Sequence, residues 1–167
     1  AAADPTRITI AGGIAAPDEV AALDRIGADA QVGMAIYTGE MTIGASLAAM
    51  MSSDRPDGLW PTVVVDEAGV ALGLAYSSAE SLERAFQEGR GIYHSRSRGV
   101  WVKGETSGAS QDLIGIDLDC DRDTILLKVN QIGGAACHEG YQSCFFREYT
   151  RFDNLAESDY GDSAYGD

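Results

Sequence analysis

The chain has 167 residues, 45% of them hydrophobic, and a net charge of −14. That is enough apolar material for one ordinary domain, and so acidic a balance argues against general nucleic-acid binding, because a phosphate backbone would be repelled. No apolar run approaches the roughly 20 residues of a membrane span, and three cysteines cannot all pair within one chain. With no secretory signal visible, the expectation is a reducing, cytoplasmic setting in which thiolates are free to hold metal.

Ile8-Thr9-Ile10 reads as a short strand and Ala11-Gly12-Gly13 as a tight turn. Pro17 opens a helix that carries Val20, Leu23 and Ile26 at three-residue spacing and closes at Gly27. A second strand is expected at Ala30–Met34, and the helical crossover makes the two strands parallel. Residues 40–51 predict another short helix, and Ser52-Ser53-Asp54-Arg55-Pro56 a linker. Residues 1–54 thus form a β-α-β appendage with its linker.

From residue 55 to 150 the pattern changes. Thr62–Val65 and Val70–Leu74, separated by Asp66-Glu67-Ala68-Gly69, predict a hairpin. Ser77 with Glu80 three residues on reads as a capping box, opening a helix with Leu82, Ala85 and Phe86 on one face and Gly89 as its stop. Strands are expected at Ile92–His94, Val100–Val102, Leu113–Leu118 and Thr124–Val129. Clustered strands with few helices predict an α+β fold with a mainly antiparallel sheet. Residues 151–167 form an acidic tail, expected to be solvated and mobile.

Two blocks carry chemistry. Asp119, Asp121 and Asp123 surround Cys120, and Cys137, His138 and Cys144 follow downstream. Carboxylates suit magnesium and thiolates suit zinc, so a cluster holding both points to two metals. Strand alternation puts Ile114, Ile116 and Leu118 on one face with Cys120, and Asp117, Asp119 and Asp121 on the other. Apolar parity flips after Asp123, where Ile125, Leu127 and Val129 take over, so a bend near Asp121–Asp123 would wrap the aspartates around one cation. A solvated acidic hairpin tip is the competing reading, and the cysteine spacing lacks the close pairs of a structural zinc site.

The second block is Ser95-Arg96-Ser97-Arg98, hydroxyls alternating with guanidinium forks, with Trp101, Lys103, Glu105, Thr106 and Ser107 following. In an extended segment Arg96 and Arg98 share one side and would meet one phosphate; the competing reading is a solvated basic turn. His138, beside Cys137, is placed for proton transfer unless it is simply exposed, and His94 in a strand reads as structural or as a ligand contact. Together the blocks suggest a hydrolase for a phosphorylated substrate.

Read together, six ordered stretches resemble the phosphoribosyl-AMP cyclohydrolase family of histidine biosynthesis: Asp57-Gly58-Leu59, Leu74-Ala75-Tyr76, Ser95–Arg98, Trp101–Gly108, Asp119–Asp123, and Ala136-Cys137-His138 with Ser143-Cys144-Phe145. The resemblance implies an intertwined homodimer with zinc on Cys120, Cys137 and Cys144, contributed across the subunit interface, and magnesium on Asp119, Asp121 and Asp123. It further implies that zinc-activated water opens the adenine ring of phosphoribosyl-AMP at N1–C6. His138 would carry protons, and Ser95, Arg96, Ser97, Arg98, Trp101, Lys103, Glu105, Thr106 and Ser107 would bind the phosphorylated nucleotide. A non-catalytic metal-binding module serving assembly or regulation is the alternative.

The first 45 residues resemble a different family. Ile10-Ala11-Gly12-Gly13-Ile14, the helix through Leu23, and Val32–Gly39 are similar to the last two β/α units of the phosphoribosylformimino-aminoimidazole carboxamide ribotide isomerase barrel. Two strands cannot close an eight-stranded barrel, so this part is expected to be a remnant, or the edge of a larger fusion.

Overall fold

A computed structural model describes residues 8–149. The expected acidic tail lies outside the described residues. Twelve elements follow in order: β1 (Thr9–Ala11), α1 (Pro17–Arg25), β2 (Asp29–Gln31), α2 (Met34–Tyr37), α3 (Ile43–Met50), β3 (Trp60–Val65), β4 (Ala71–Ser77), α4 (Ala79–Glu88), β5 (Ile92–Ser95), β6 (Gly99–Val102), β7 (Ser110–Leu118) and β8 (Ile125–Ile132).

In the N-terminal part β1 and β2 pair in parallel. Pro17 supplies the first turn of α1, and the Glu19 carboxylate accepts the free amides of Ala15 and Ala16 at 2.8 and 3.0 Å. The second strand is shorter than the sequence suggests. It stops at Gln31, and Met34 begins α2 instead, because Gly33 breaks the extended run. Ile14, Ala35 and Met41 form a small core of their own with Val20, Leu23 and Ile36.

The main sheet has the order β4-β3-β8-β7. β3 with β4 and β7 with β8 are antiparallel, while β3 and β8 run parallel through Thr62↔Ile125 to Val65↔Lys128. The fold is α+β, and its sheet is mixed at the centre. β5 and β6 make a separate hairpin. Thr62, Val64, Ile125, Leu127 and Val129 point inward and meet Leu82 of α4, Leu47 of α3 and Tyr93 of β5. The opposite face keeps Leu74 57% and Leu126 37% exposed, flanking Val63 in one cross-strand row.

Two local expectations are corrected. The helix α4 is capped one residue later than expected: Ser78 Oγ accepts the Ser81 amide at 3.2 Å and Ser81 Oγ accepts the Ser78 amide at 2.8 Å. Ser77 is still in the ladder opposite Trp60, and its buried hydroxyl lies 2.7 Å from Thr62 Oγ1. In β7 a bulge between Leu113 and Gly115 breaks the alternation. Leu113, Ile116 and Leu118 pack on the core, and Ile114 is exposed.

Helix α3 joins the two parts. Thr42 caps it, accepting the Ala45 amide at 3.0 Å and donating to Glu83 of α4 at 3.1 Å. The helices touch at Gly44, where a Cβ would stand 2.5 Å from the Glu83 Cα. Backbone offers no flexible end to move aside, so Gly44→Val is expected to cost about 1–3 kcal/mol of unfolding free energy. Urea unfolding measures this, and an unchanged midpoint would show that α3 and α4 do not approach so closely.

Candidate metal and substrate site

The β7–β8 connection is a tight turn built by its own first aspartate. Asp119 Oδ1 accepts the amides of Asp123 and Thr124 at 3.0 and 3.1 Å, and Thr124 Oγ1 donates to Asp123 at 2.8 Å. The Thr124 amide, aided by Asp123, holds the Asp119 carboxyl below the usual carboxylate range. Carboxylate oxygens of Asp119, Asp121 and Asp123 come within 4.8 Å of one another. An all-oxygen donor set of this kind fits a hard dication such as magnesium.

Cys120 departs from expectation. The strand ends at Leu118, so its register does not carry Cys120 onto the apolar face, and the thiol is exposed in the turn.

Past β8 the chain doubles back. Cys137 accepts from the Gly140 amide at 3.1 Å and donates its own amide to Tyr141 at 3.0 Å. The Cys144 amide donates to Leu72 O at 2.8 Å, and Ser143 Oγ donates to Ala71 O at 2.7 Å, fixing this segment to β4. The Cys144 sulfur fits over Gly73, where even a Cβ would stand 3.4 Å away. The Cys137 thiol lies near enough to act on the Cys144 thiol. Burial pushes the Cys144 thiol up, Cys137 pushes it further, and Lys103 pulls it down. A cation shared by both sulfurs would offset that mutual opposition, so the pair fits a thiophilic metal.

Three thiolates around zinc must approach within about 4 Å of one another, given bonds near 2.3 Å. Cys120 stands between β7 and β8, and Cys144 is bonded to β4 beyond β3. At least two strand spacings, roughly 10 Å, part them within one chain. Among the described residues no group of three potential metal ligands includes a cysteine.

The basic block forms the β5–β6 turn, so Arg96 and Arg98 are not extended and do not share one side in the expected way. Arg96 lies over the Tyr76 ring at 5.1 Å, Arg55 over the same ring at 4.8 Å, and Arg98 over Trp101 at 5.7 Å. Ser95 and Ser97 hydroxyls lie 3.2 Å apart. Lys103 donates to Ala136 O at 2.6 Å and is close enough for its charge to act on Cys144. Glu105, Thr106 and Ser107 are exposed in the next turn, which needs Gly104 because a Cβ there would stand 2.5 Å from Ser110 backbone. His138 is 88% exposed, with Nε2 4.0 Å from Glu139. His94 Nδ1 lies 3.2 Å from Ser78 Oγ.

Sequence reading missed Tyr76 as a site residue and took Arg55 for linker. Their stacking joins separate strands and leaves no local pattern. It also missed a cavity of about 110 Å³ lined by Leu72, Tyr93, Trp101, Lys103, Gln111 and Cys144, among others. Its polar wall is a chain in which Tyr93 Oη donates to Gln111 Oε1 at 2.6 Å and Gln111 Nε2 donates to Gln131 at 2.9 Å.

Residues 73–146 match the family model described as phosphoribosyl-AMP cyclohydrolase. The chain is 49% identical over 109 residues to a phosphoribosyl-AMP cyclohydrolase of Oleidesulfovibrio alaskensis, covering 59% of this chain and 84% of that one. It is 53% identical over 96 residues to one of Nitratidesulfovibrio vulgaris, covering 56% and 76%. A histidine biosynthesis trifunctional protein of Neurospora crassa is 51% identical over 107 residues, and there the chain spans 64% of its own length but only 12% of the relative's.

Within the matched region Tyr93 gives a test of the cavity wall. Tyr93→Phe leaves Gln111 Oε1 buried without its donor and is expected to lower stability by about 1–2 kcal/mol without changing bound metal. Denaturant unfolding together with metal analysis checks this, and loss of metal would place Tyr93 in the site itself.

Proposed function

The chain belongs to the phosphoribosyl-AMP cyclohydrolase family, as its 49% identity over 84% of one member shows, and on that premise we propose that it hydrolyses the N1–C6 bond of the adenine ring of phosphoribosyl-AMP. The product is the formimino-aminoimidazole carboxamide ribonucleotide of histidine biosynthesis. The observation that carries this reading is a cavity lined together by Cys144, Lys103, Tyr93 and Trp101, with Cys137 close enough to act on the Cys144 thiol.

Zinc held by three thiolates supplies the one chemistry that the side chains here lack, ionisation of water near pH 7. Cys137 and Cys144 provide two thiolates, and Cys120 of a second copy is the third. This sharing is supported by the strand spacings that part Cys120 from the pair within a chain, and by the open apolar row of Leu74, Val63 and Leu126. Such a row suits a self-complementary homodimer interface.

The remaining roles follow from position. Water adds at C6, the N1–C6 bond breaks, and His138, one residue from Cys137, holds the proton that N1 receives. Arg96 and Arg98, with Ser95 and Ser97, meet phosphate oxygens, and Trp101 gives the nucleotide an aromatic surface. Lys103 provides positive charge close to the Cys144 thiol, and Glu105, Thr106 and Ser107 offer polar side chains to the substrate. Asp119, Asp121 and Asp123 would hold magnesium, which would supply positive charge to orient the substrate or its phosphate. Among the described residues no helix is long and apolar enough to cross a membrane, in keeping with a cytoplasmic enzyme.

Two measurements test the proposal together, zinc content of the dialysed protein and an ultraviolet assay of ring opening. Cys137→Ser is expected to lose both zinc and turnover, and so is Cys120→Ser despite its distance from the pair. Unchanged zinc and rate in either variant removes that cysteine from the site. A wild-type chain that holds zinc yet opens no ring would favour a non-catalytic module serving assembly or regulation.

A further inference from the structure

The turn that carries Asp119, Asp121 and Asp123 also contains a cation. Arg122 sits between two of these aspartates, and it is the only non-glycine among the described residues with a left-handed backbone, φ +63°. An arginine there would ordinarily fork onto a neighbouring carboxylate and satisfy the charge that a metal ion needs. It does not. The Arg122 Nε forms an ion pair with Asp24 Oδ2 of α1 at 2.5 Å, drawing the guanidinium out of the turn. Asp24 Oδ2 is buried and has no hydrogen-bonded partner, so this ion pair is its compensation.

The same turn is gripped from its other side. The Ser52 amide donates to Arg122 O at 2.8 Å, and Ser52 Oγ donates to Asp121 O at 3.0 Å. Asp24 and Ser52 both lie outside residues 73–146, in the appendage and the linker that follows it.

We propose that Asp24 is a positioning residue for a divalent cation: by taking the Arg122 guanidinium onto α1 it leaves the carboxylates of Asp119, Asp121 and Asp123 uncompensated and available, while Ser52 fixes the turn's carbonyls. The inference rests on reading this turn as the magnesium site, and it gives the N-terminal part a task in the present protein. Removing Asp24 frees a competing positive charge within reach of the ligands, which weakens dication binding through Coulomb repulsion and direct pairing.

Manganese serves as the probe, titrated into the full chain and followed by the electron paramagnetic resonance signal of the free ion. Asp24→Ala is expected to weaken its affinity by about three- to tenfold. Arg122→Gly alone, which suits the left-handed backbone and carries no charge, should bind manganese at least as tightly as the wild type. The double variant Asp24→Ala/Arg122→Gly should recover wild-type affinity, a rescue that a merely structural role of Asp24 would not give. Equal affinity in wild type and Asp24→Ala overturns the inference, as does a loss that Arg122→Gly fails to restore. Asp121→Asn separates the underlying reading: if it leaves manganese binding unchanged, the turn is no cation site, and that reading falls together with the inference.

Discussion

The burial of Ile125, Leu127 and Val129 in β8 is the constraint on which the rest of the molecule depends. All three side chains are fully buried, each stabilising the fold by about 1.5–3 kcal/mol. They lock β8 between β3 and β7 in a register that cannot slip by one residue without turning every side chain to the wrong face. The aspartate turn runs directly into the start of β8, and the segment bearing Cys137 leaves its end. One buried strand therefore sets where carboxylates and thiols stand relative to each other.

That geometry separates two kinds of ligand that the sequence interleaves. Consecutive aspartates with alternate spacing gather because a turn folds them onto themselves, with Asp119 satisfying the amides of Asp123 and Thr124. The thiols are distributed by strand order instead. Cys144 is tied to β4 and Cys120 to the end of β7, with the sheet between them. In a chain of net charge −14, a site proposed for an anionic nucleotide needs its positive charge held locally. Stacking of Arg55 and Arg96 on Tyr76 and of Arg98 on Trp101 does this without burying the guanidinium groups.

Much of the fold is legible in the amino acids, where one local signal outweighs its rivals. Pro17 starts α1, Gly89 in a left-handed cap ends α4, and the parity change from Leu118 to Ile125 announces the turn between β7 and β8. Errors arise where tertiary packing chooses between equal local options. Ser77 and Ser78 are both competent caps, and the ladder opposite Trp60 claims the first. The bulge that exposes Ile114 leaves no mark in an alternating apolar pattern. Within the site, the expectation of two metals and a phosphate rests on residue types alone, because ligand chemistry is carried by side-chain identity. The stacking of Arg55 on Tyr76, the turn geometry of Arg96 and Arg98, and the pull of Asp24 on Arg122 are contacts across the fold that no spacing encodes.

The central claim, that the thiolates of one zinc site come from two copies of the chain, is tested most directly by mixing two inactive variants. Cys120→Ser and Cys137→Ser protomers, unfolded together and refolded, form mixed dimers in which one site has lost two cysteines and the other is whole. The account predicts that ring-opening activity returns to about a quarter of the wild-type value, since half of the dimers carry one intact site out of two. If the mixture stays as inactive as either variant alone while mixed dimers demonstrably form, the zinc ligands come from a single chain and the account is wrong.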